Sequence, residues 1–281
     1  MILIVGCNGM LGKEFVLKYP DSIQVDTHNC DISNYDDLLK LNEYEITTII
    51  NCAAFTNVDA CEGMDMNDTP VFKSNVVGVE NLVRFSNYKN AKLIHFSTDY
   101  VFDGDSTIPY KEDDYTNPIS KYGLSKYLGE LCIQKKCLDY LLVRISWLFG
   151  RNGSSFINFV VDNLNQNKEI GLLDNYFGTP TYTGTIVENL PFDETGVLHF
   201  TNNYNLDSNY GITILSWYEY GKIIARIGGW DEDLIKPIQE INRPAKRPKN
   251  SILNIDKLLS IKNIDHWYEC LKEVINKNII K

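Results

Sequence analysis

Short, nearly uninterrupted apolar runs punctuate the first half of the chain: Ile2 to Val5, Ile23 to Asp26, Thr48 to Asn51, Lys92 to Ser97 and Tyr140 to Ser146. Each has the length and β-branched content of a strand, and stretches of helical character separate them. Continuous rather than alternating hydrophobicity marks strands covered on both faces, so the pattern predicts a parallel sheet joined by crossover helices. Beyond Gly150 the rhythm loosens. A helical stretch over Phe156 to Asn165 is followed by a loop at Gly178-Thr179-Pro180-Thr181, a strand over Val197 to Thr201 and a long polar loop from Asn202 to Gly211. A helix over Trp217 to Ile227, a Pro-rich linker from Arg243 to Pro248 and a closing helix from about Ile264 to Ile275 complete the pattern. The prediction is an α/β protein with a doubly wound parallel sheet in residues 1–150, completed by a returning segment near 182–202, and a smaller, mainly C-terminal domain in 151–281.

Composition narrows the partners. With 281 residues, 44% of them hydrophobic, the chain can bury the core of one large α/β domain or of a domain with a small companion. Its formal net charge is -10, and its only dense basic run lies between Arg243 and Lys249, which argues against a nucleic-acid surface. No run approaches the roughly 20 apolar residues of a membrane helix, and Met1-Ile2-Leu3-Ile4-Val5 enters the first strand without a charged leader. A cytoplasmic protein without a membrane partner is expected. The seven cysteines are scattered and show no CxxC spacing, so they are expected as free thiols with no metal site.

Candidate chemistry begins directly after the first strand. Gly6-Cys7-Asn8-Gly9-Met10-Leu11-Gly12 has glycines where a backbone must approach a pyrophosphate closely, and it opens a helix whose N-terminus supplies N–H donors. This placement makes the sheet Rossmann-type and the segment Gly6, Asn8, Gly9, Met10, Leu11 and Gly12 the expected dinucleotide cradle. At the end of the second strand, Asp26 is placed to accept from a ribose 2'-hydroxyl and to repel a 2'-phosphate. The cofactor is therefore expected to be NADH or NADPH, with NADH slightly favoured.

In Tyr122-Gly123-Leu124-Ser125-Lys126 the i, i+4 spacing puts a phenol and an ammonium on one helix face, where the cation is expected to lower the phenol pKa toward neutrality. That spacing alone is common on surface helices. Its meaning comes from company: Ser97-Thr98-Asp99 follows a strand, setting a hydroxyl at the carboxyl edge of the sheet, and a hydroxyl, a tyrosine and a lysine then arrive in order after a glycine fingerprint. Thr98, Tyr122 and Lys126 are the candidate catalytic residues of a reductase.

At these residues the chain resembles the extended short-chain dehydrogenase/reductases and, among them, the dTDP-4-dehydrorhamnose reductase family. The resemblance runs through Gly6 to Gly12, Asn51 to Asp59, Ser97 to Gly104, Tyr122 to Lys126, Arg144 to Gly150, Gly178 to Thr181 and Arg243-Pro244-Ala245-Lys246-Arg247-Pro248, nearly the whole chain. It implies that Lys126 also holds the nicotinamide ribose, that Ala53, Ala54 and Phe55 line the cofactor cleft, and that Asp31 and Ile32 lie near adenine. Thr56, Tyr100 and Trp147 match positions associated with a sugar nucleotide. The resemblance also implies a smaller C-terminal substrate-binding domain, while plain core roles for Phe55 and Trp147 and a helix cap at Asp31 stay open.

Arg243, Lys246 and Arg247 are the expected donors to the phosphates of a nucleotide-sugar substrate. The implied activity is NAD(P)H-dependent reduction of the C4 keto group of a nucleotide-linked 4-keto-6-deoxy sugar, dTDP-4-dehydro-L-rhamnose to dTDP-L-rhamnose being the leading case. Alternatives are an enzyme for another 4-keto sugar, one coupling epimerisation to reduction, and a non-catalytic regulatory subunit of the kind found with methionine adenosyltransferase. Relative to the family pattern, Thr183 to Pro191 looks short for a helix and Asn202 to Gly211 looks enlarged. No acidic cluster matches the metal-bridged dimer of some members, and a homodimer is left open.

Overall fold

A single sheet of six parallel strands organises the protein. Its members are β1 (Ile2–Val5), β2 (Ile23–Val25), β3 (Thr48–Asn51), β4 (Lys92–Thr98), β5 (Tyr140–Ile145) and, further along the chain, β7 (Gly196–His199), in the spatial order β7-β5-β4-β3-β1-β2. This is a computed structural model, and it describes residues 1–67, 69–153, 155–204 and 214–279. The predicted strands are all present, with ends displaced by one or two residues. Part of the expected polar loop, 205–211, lies outside the described residues.

Side chains alternate across each strand, and both faces are dry. Ile4, Ile50, Ile94, Phe96, Leu141 and Val143 enter one core. Leu3, Ile49, Leu93 and Leu142 enter the other. The same period sets Asn51 and His95 on the face of Ile49 and Leu93, directly opposite one another in the β3–β4 register.

Helices α1 (Met10–Lys18), α2 (Tyr35–Leu39), α3 (Gly78–Lys89) and α4 (Lys121–Lys136) form the crossovers of this sheet. Strand order reverses on either side of β1, which opens a crevice beyond the carboxyl ends of β1 and β3, where open α/β sheets take their ligands.

The later chain packs into the core on the Ile4, Ile50 and Ile94 face of the sheet. It contains α5 (Phe156–Leu164), β6 (Ile170–Leu173), α6 (Thr183–Asn189), α7 (Trp217–Gly228), β8 (Ile235–Ile238), α8 (Asp256–Ile261) and α9 (Trp267–Ile279). α7 starts under a reciprocal cap, Ser216 with Glu219, and ends at Gly229 in the left-handed conformation. The closing helix begins three residues later than its hydrophobic pattern suggests, because Ile264 is a buried anchor before the helix rather than its first turn. No helix among the described residues is long and apolar enough to cross a membrane.

Candidate active site

The dinucleotide cradle is built from close backbone approach. Gly6 has φ +74°, and a β-carbon there would lie 2.7 Å from the Ala53 nitrogen, so the turn after β1 can press against the loop after β3 only with glycine. Gly9 precedes α1 with no side chain capping it, which leaves the first helical N–H groups available to an anion. The cleft beside this turn has a volume of about 590 Å³. Gly6, Asn8, Gly9, Asp26, Asp31, Ile32, Ala53, Ala54 and Phe55 line it, together with Thr27 and His28, which follow Asp26, and with Lys73 and Ser74, which the sequence reading did not single out. Apolar walls, an uncapped helix start and a carboxylate at the strand end fit a dinucleotide.

Beyond the N–H groups they offer, three residues of the fingerprint pack away from the cleft. Leu11 is buried in the core, and the Gly12 α-carbon packs against the Gly6 carbonyl, where a β-carbon would come within 2.1 Å. Met10 covers Gly150 and Gly153. None of the three lines the cleft.

The Asp26 carboxylate is fixed from both sides, by the Asn8 amide and by the His28 N–H at 2.8 Å. Asp31 accepts from the Ser33 N–H and hydroxyl at 2.9 and 2.8 Å, so it shapes the turn before Asn34, which is the actual cap of α2. The Phe55 backbone is clamped by Asn75, whose Oδ1 accepts from Phe55 N at 2.8 Å while its Nδ2 donates to Phe55 O at 3.0 Å and to Ser125 Oγ at 2.9 Å. One buried amide thereby ties the cofactor cleft to the helix that carries Tyr122.

That helix, α4, starts under the Ser120 hydroxyl, which accepts from Gly123 N at 3.1 Å. Gly123 lets α4 approach the Tyr100 carbonyl, where a β-carbon would meet oxygen at 2.2 Å. Tyr122 thus comes to the end of β4, edge-on to Tyr100 with ring centroids 5.5 Å apart. Thr98, Tyr122 and Lys126 are all buried here.

Their electrostatics depart from expectation at two points. Burial pushes the Tyr122 phenol well above its ordinary pKa, helped by Asp99, Tyr100 and Cys61, with the Thr98 hydroxyl opposing. The Lys126 Nζ donates to the Phe96 carbonyl at 2.7 Å and lies 3.2 Å from His95 Nε2. The spacing puts phenol and amine on one helix face, but the amine is anchored to β4. Burial lowers the Lys126 pKa to about 8 against the opposing influence of Glu130 and Cys52.

The second departure concerns Thr98. Its hydroxyl donates to Asp99 Oδ1 at 2.9 Å and accepts from Tyr100 N at 3.2 Å, so its hydrogen is directed at Asp99 rather than at the cleft. Burial raises the Asp99 carboxyl to about pKa 7, with hydrogen bonds from Thr98 and Ser251 pulling the other way. Asp99 is a functional candidate that sequence reasoning missed. Its signal was a carboxylate next to a candidate catalytic hydroxyl at a strand end.

On the far side of Tyr100, Trp147 holds φ +41° and stacks on Trp217 with centroids 3.5 Å apart. Tyr100, Trp147, Trp217, Arg243 and Arg247 converge there, and a groove of about 400 Å³ continues past Arg243, Lys246, Arg247, Asp103 and Tyr176. Arg247 is not an open phosphate donor: it grips Asp59 through both terminal nitrogens. Thr56 is exposed on the loop after β3 and does not line this groove.

Comparison with known proteins agrees with this geometry. The family model described as RmlD substrate binding domain matches residues 1–279. A dTDP-4-dehydrorhamnose reductase from Aggregatibacter actinomycetemcomitans is 30% identical, with 97% of each chain covered. The structure of a dTDP-4-dehydrorhamnose reductase from Clostridium acetobutylicum superposes with a TM-score of 0.88 at 33% identity, covering 98% of each chain. The enzyme of that name from Bacillus anthracis, solved in complex with NADP, gives a TM-score of 0.88 at 29% identity over 98% of each chain. With a family match along almost its full length, the chain belongs to the RmlD substrate binding domain family.

Proposed function

We propose that this protein reduces the C4 keto group of a nucleotide-linked 4-keto-6-deoxy sugar, with dTDP-4-dehydro-L-rhamnose as the leading substrate and dTDP-L-rhamnose as its product. The observation that carries this reading is the meeting of Tyr122, Thr98 and Lys126 at the end of β4, between the glycine cradle and the Trp147–Trp217 groove. Residues 1–150, with the returning segment near 182–202, serve the dinucleotide, and 151–281 serve mainly the sugar nucleotide.

A bound NADH or NADPH supplies the hydride to C4. Gly6, Asn8 and Gly9 would hold its phosphates, Asp26 its adenosine ribose, and Ala53 to Phe55 the wall along which it lies. Tyr122 is the acid: its O–H passes the proton to the C4 oxygen as the C–H bond forms. Thr98 and Asp99 form the polar edge facing that oxygen, and the hydroxyl orients it when Asp99 carries the proton they share. Lys126 supports Tyr122 and the ribose from behind. Arg243 and Lys246 draw the diphosphate into the groove.

The test is an assay of dTDP-, UDP- and GDP-linked 4-keto-6-deoxy sugars, read by loss of reduced-cofactor absorbance. Turnover of the dTDP-linked sugar is expected. Dinucleotide binding without oxidation by any of these sugars would overturn the reading.

A further inference from the structure

Of the two stacked indoles beside Tyr100, Trp147 is the fixed one. Its backbone stands in the left-handed region, at φ +41°, and its carbonyl accepts from Thr181 N at 3.2 Å. The residue before it is pinned as well: Ser146 Oγ donates to the Thr179 carbonyl at 3.0 Å, and the Ser146 carbonyl accepts from Thr181 Oγ1 at 2.6 Å. Gly178 makes room for the ring, since a β-carbon there would come within 2.3 Å of Cε2 and 2.4 Å of Nε1. A left-handed backbone at a residue other than glycine is costly, and such positions cluster where ligands are held.

Trp217 comes from a distant segment. The two-residue strand Leu215–Ser216 pairs antiparallel with Phe177–Gly178, which sets Trp217 at the first position of α7. The two rings overlap face to face, with 3.5 Å between centroids and 12° between planes. Each aromatic face is negative, so such pairs prefer offset or edge-on contacts with centroids about 4.5–7 Å apart. The C–H bonds on the apolar face of a deoxy sugar suit the Trp147 face better than a second indole does. The space beside the pair, between Tyr100, Arg243, Arg247 and Ser251, measures only about 20 Å³, room for about one water. The adjoining groove, which shares Arg243 and Arg247, measures about 400 Å³. A diphosphate therefore has room in the groove, whereas a sugar ring reaching past Tyr100 toward Tyr122 has none while both indoles keep their places.

We propose that Trp217 covers the sugar's place on Trp147: its indole lies where the apolar face of the deoxy sugar stacks, and the sugar enters by displacing it. Trp147, pinned through its backbone and by Gly178, stays as the platform. Trp217, half-buried at the start of a helix, leaves by rotation of its side chain. Breaking the stack reduces the apparent affinity for any ligand that carries a sugar and leaves a bare nucleoside diphosphate unaffected. The identity of the displacing ligand rests on the nucleotide-sugar reading above.

Two indoles stacked this closely couple their electronic transitions, so the protein should show an exciton couplet in its ultraviolet circular dichroism, and Trp147→Phe should abolish it. Titration with dTDP-L-rhamnose, with binding followed in parallel by calorimetry, should collapse the couplet, whereas dTDP should bind and leave it intact. Trp217→Ala should bind dTDP-L-rhamnose about three- to tenfold more tightly than wild type, with dTDP affinity unchanged. Trp217→Leu takes its place if the alanine variant loses its thermal midpoint. A protein without the couplet, dTDP-L-rhamnose binding with the couplet unmoved, collapse by dTDP alone, or weaker sugar-nucleotide binding in the variants each overturns the proposal and leaves the reductase reading standing. Failure of every nucleotide sugar to bind or turn over removes that reading, and this proposal with it.

Discussion

Arg247 closes on the Asp59 carboxylate with both terminal nitrogens, at 3.0 and 2.9 Å, and Asp59 also accepts from the Ala245 N–H at 3.2 Å. The Pro-rich linker is thereby tied to the segment following β3, and the Arg247 charge is spent on that tie. Arg243 and Lys246 line the groove and make no ion pair among the described residues. Arg243→Ala and Lys246→Ala are expected to raise KM for the nucleotide sugar about tenfold each, with kcat little changed. Arg247→Ala and Asp59→Asn should instead lower kcat as well, since the loop itself loses its anchor. Steady-state kinetics on the four variants separates the two roles.

Tyr122→Phe removes the proton that the C4 oxygen needs and nothing that packs. Turnover should fall by roughly 10² to 10⁴ while dinucleotide affinity and thermal midpoint stay near wild type. Full turnover in this variant would end the assignment of Tyr122 as the acid.

Gly6→Ala places a methyl group in a left-handed backbone position, 2.7 Å from Ala53 N. Strain of about 1–2 kcal/mol is expected from the backbone alone, before the loop after β3 is pushed away. Calorimetric titration should show dinucleotide binding weakened at least about tenfold, with a lower thermal midpoint.

Asp99 gives stability a pH signature. Its folded pKa of about 7 lies above the ordinary carboxyl value of 3.8, so between these values the folded state binds the proton and the unfolded state has lost it. This contribution therefore decreases stability as pH rises from about 4 to 7 and is constant above. Asp99→Asn lacks the effect. Its stability relative to wild type should improve by about 2 kcal/mol between pH 5.5 and pH 8, measured by urea unfolding. An unchanged difference would show that Asp99 is ionised throughout.

Asp26 is held at the cleft by Asn8 and the His28 N–H, with its charge toward the ribose position. Wild type should prefer NADH, and Asp26→Asn should reduce that preference about tenfold by removing repulsion from a 2'-phosphate. Dissociation constants for the two reduced cofactors measure it.

Continuous apolar runs specified the parallel sheet, and the glycine spacing after Val5 specified where a dinucleotide would lie, because strand burial and backbone approach are local demands that leave their mark on consecutive residues. The Tyr122–Lys126 spacing likewise put two side chains on one helix face. What the two nitrogen and oxygen atoms touch is another matter, decided by elements distant in the chain. Burial among Phe55, Val71 and Tyr100 sets the phenol, and β4 captures the lysine through Phe96 and His95. The Asp59–Arg247 tie and the Asn51–His95 pairing arise from register and loop docking, which no sequence period encodes. Residue types declared the chemistry available; tertiary contacts chose which charges are spent on the fold and which are left for a ligand.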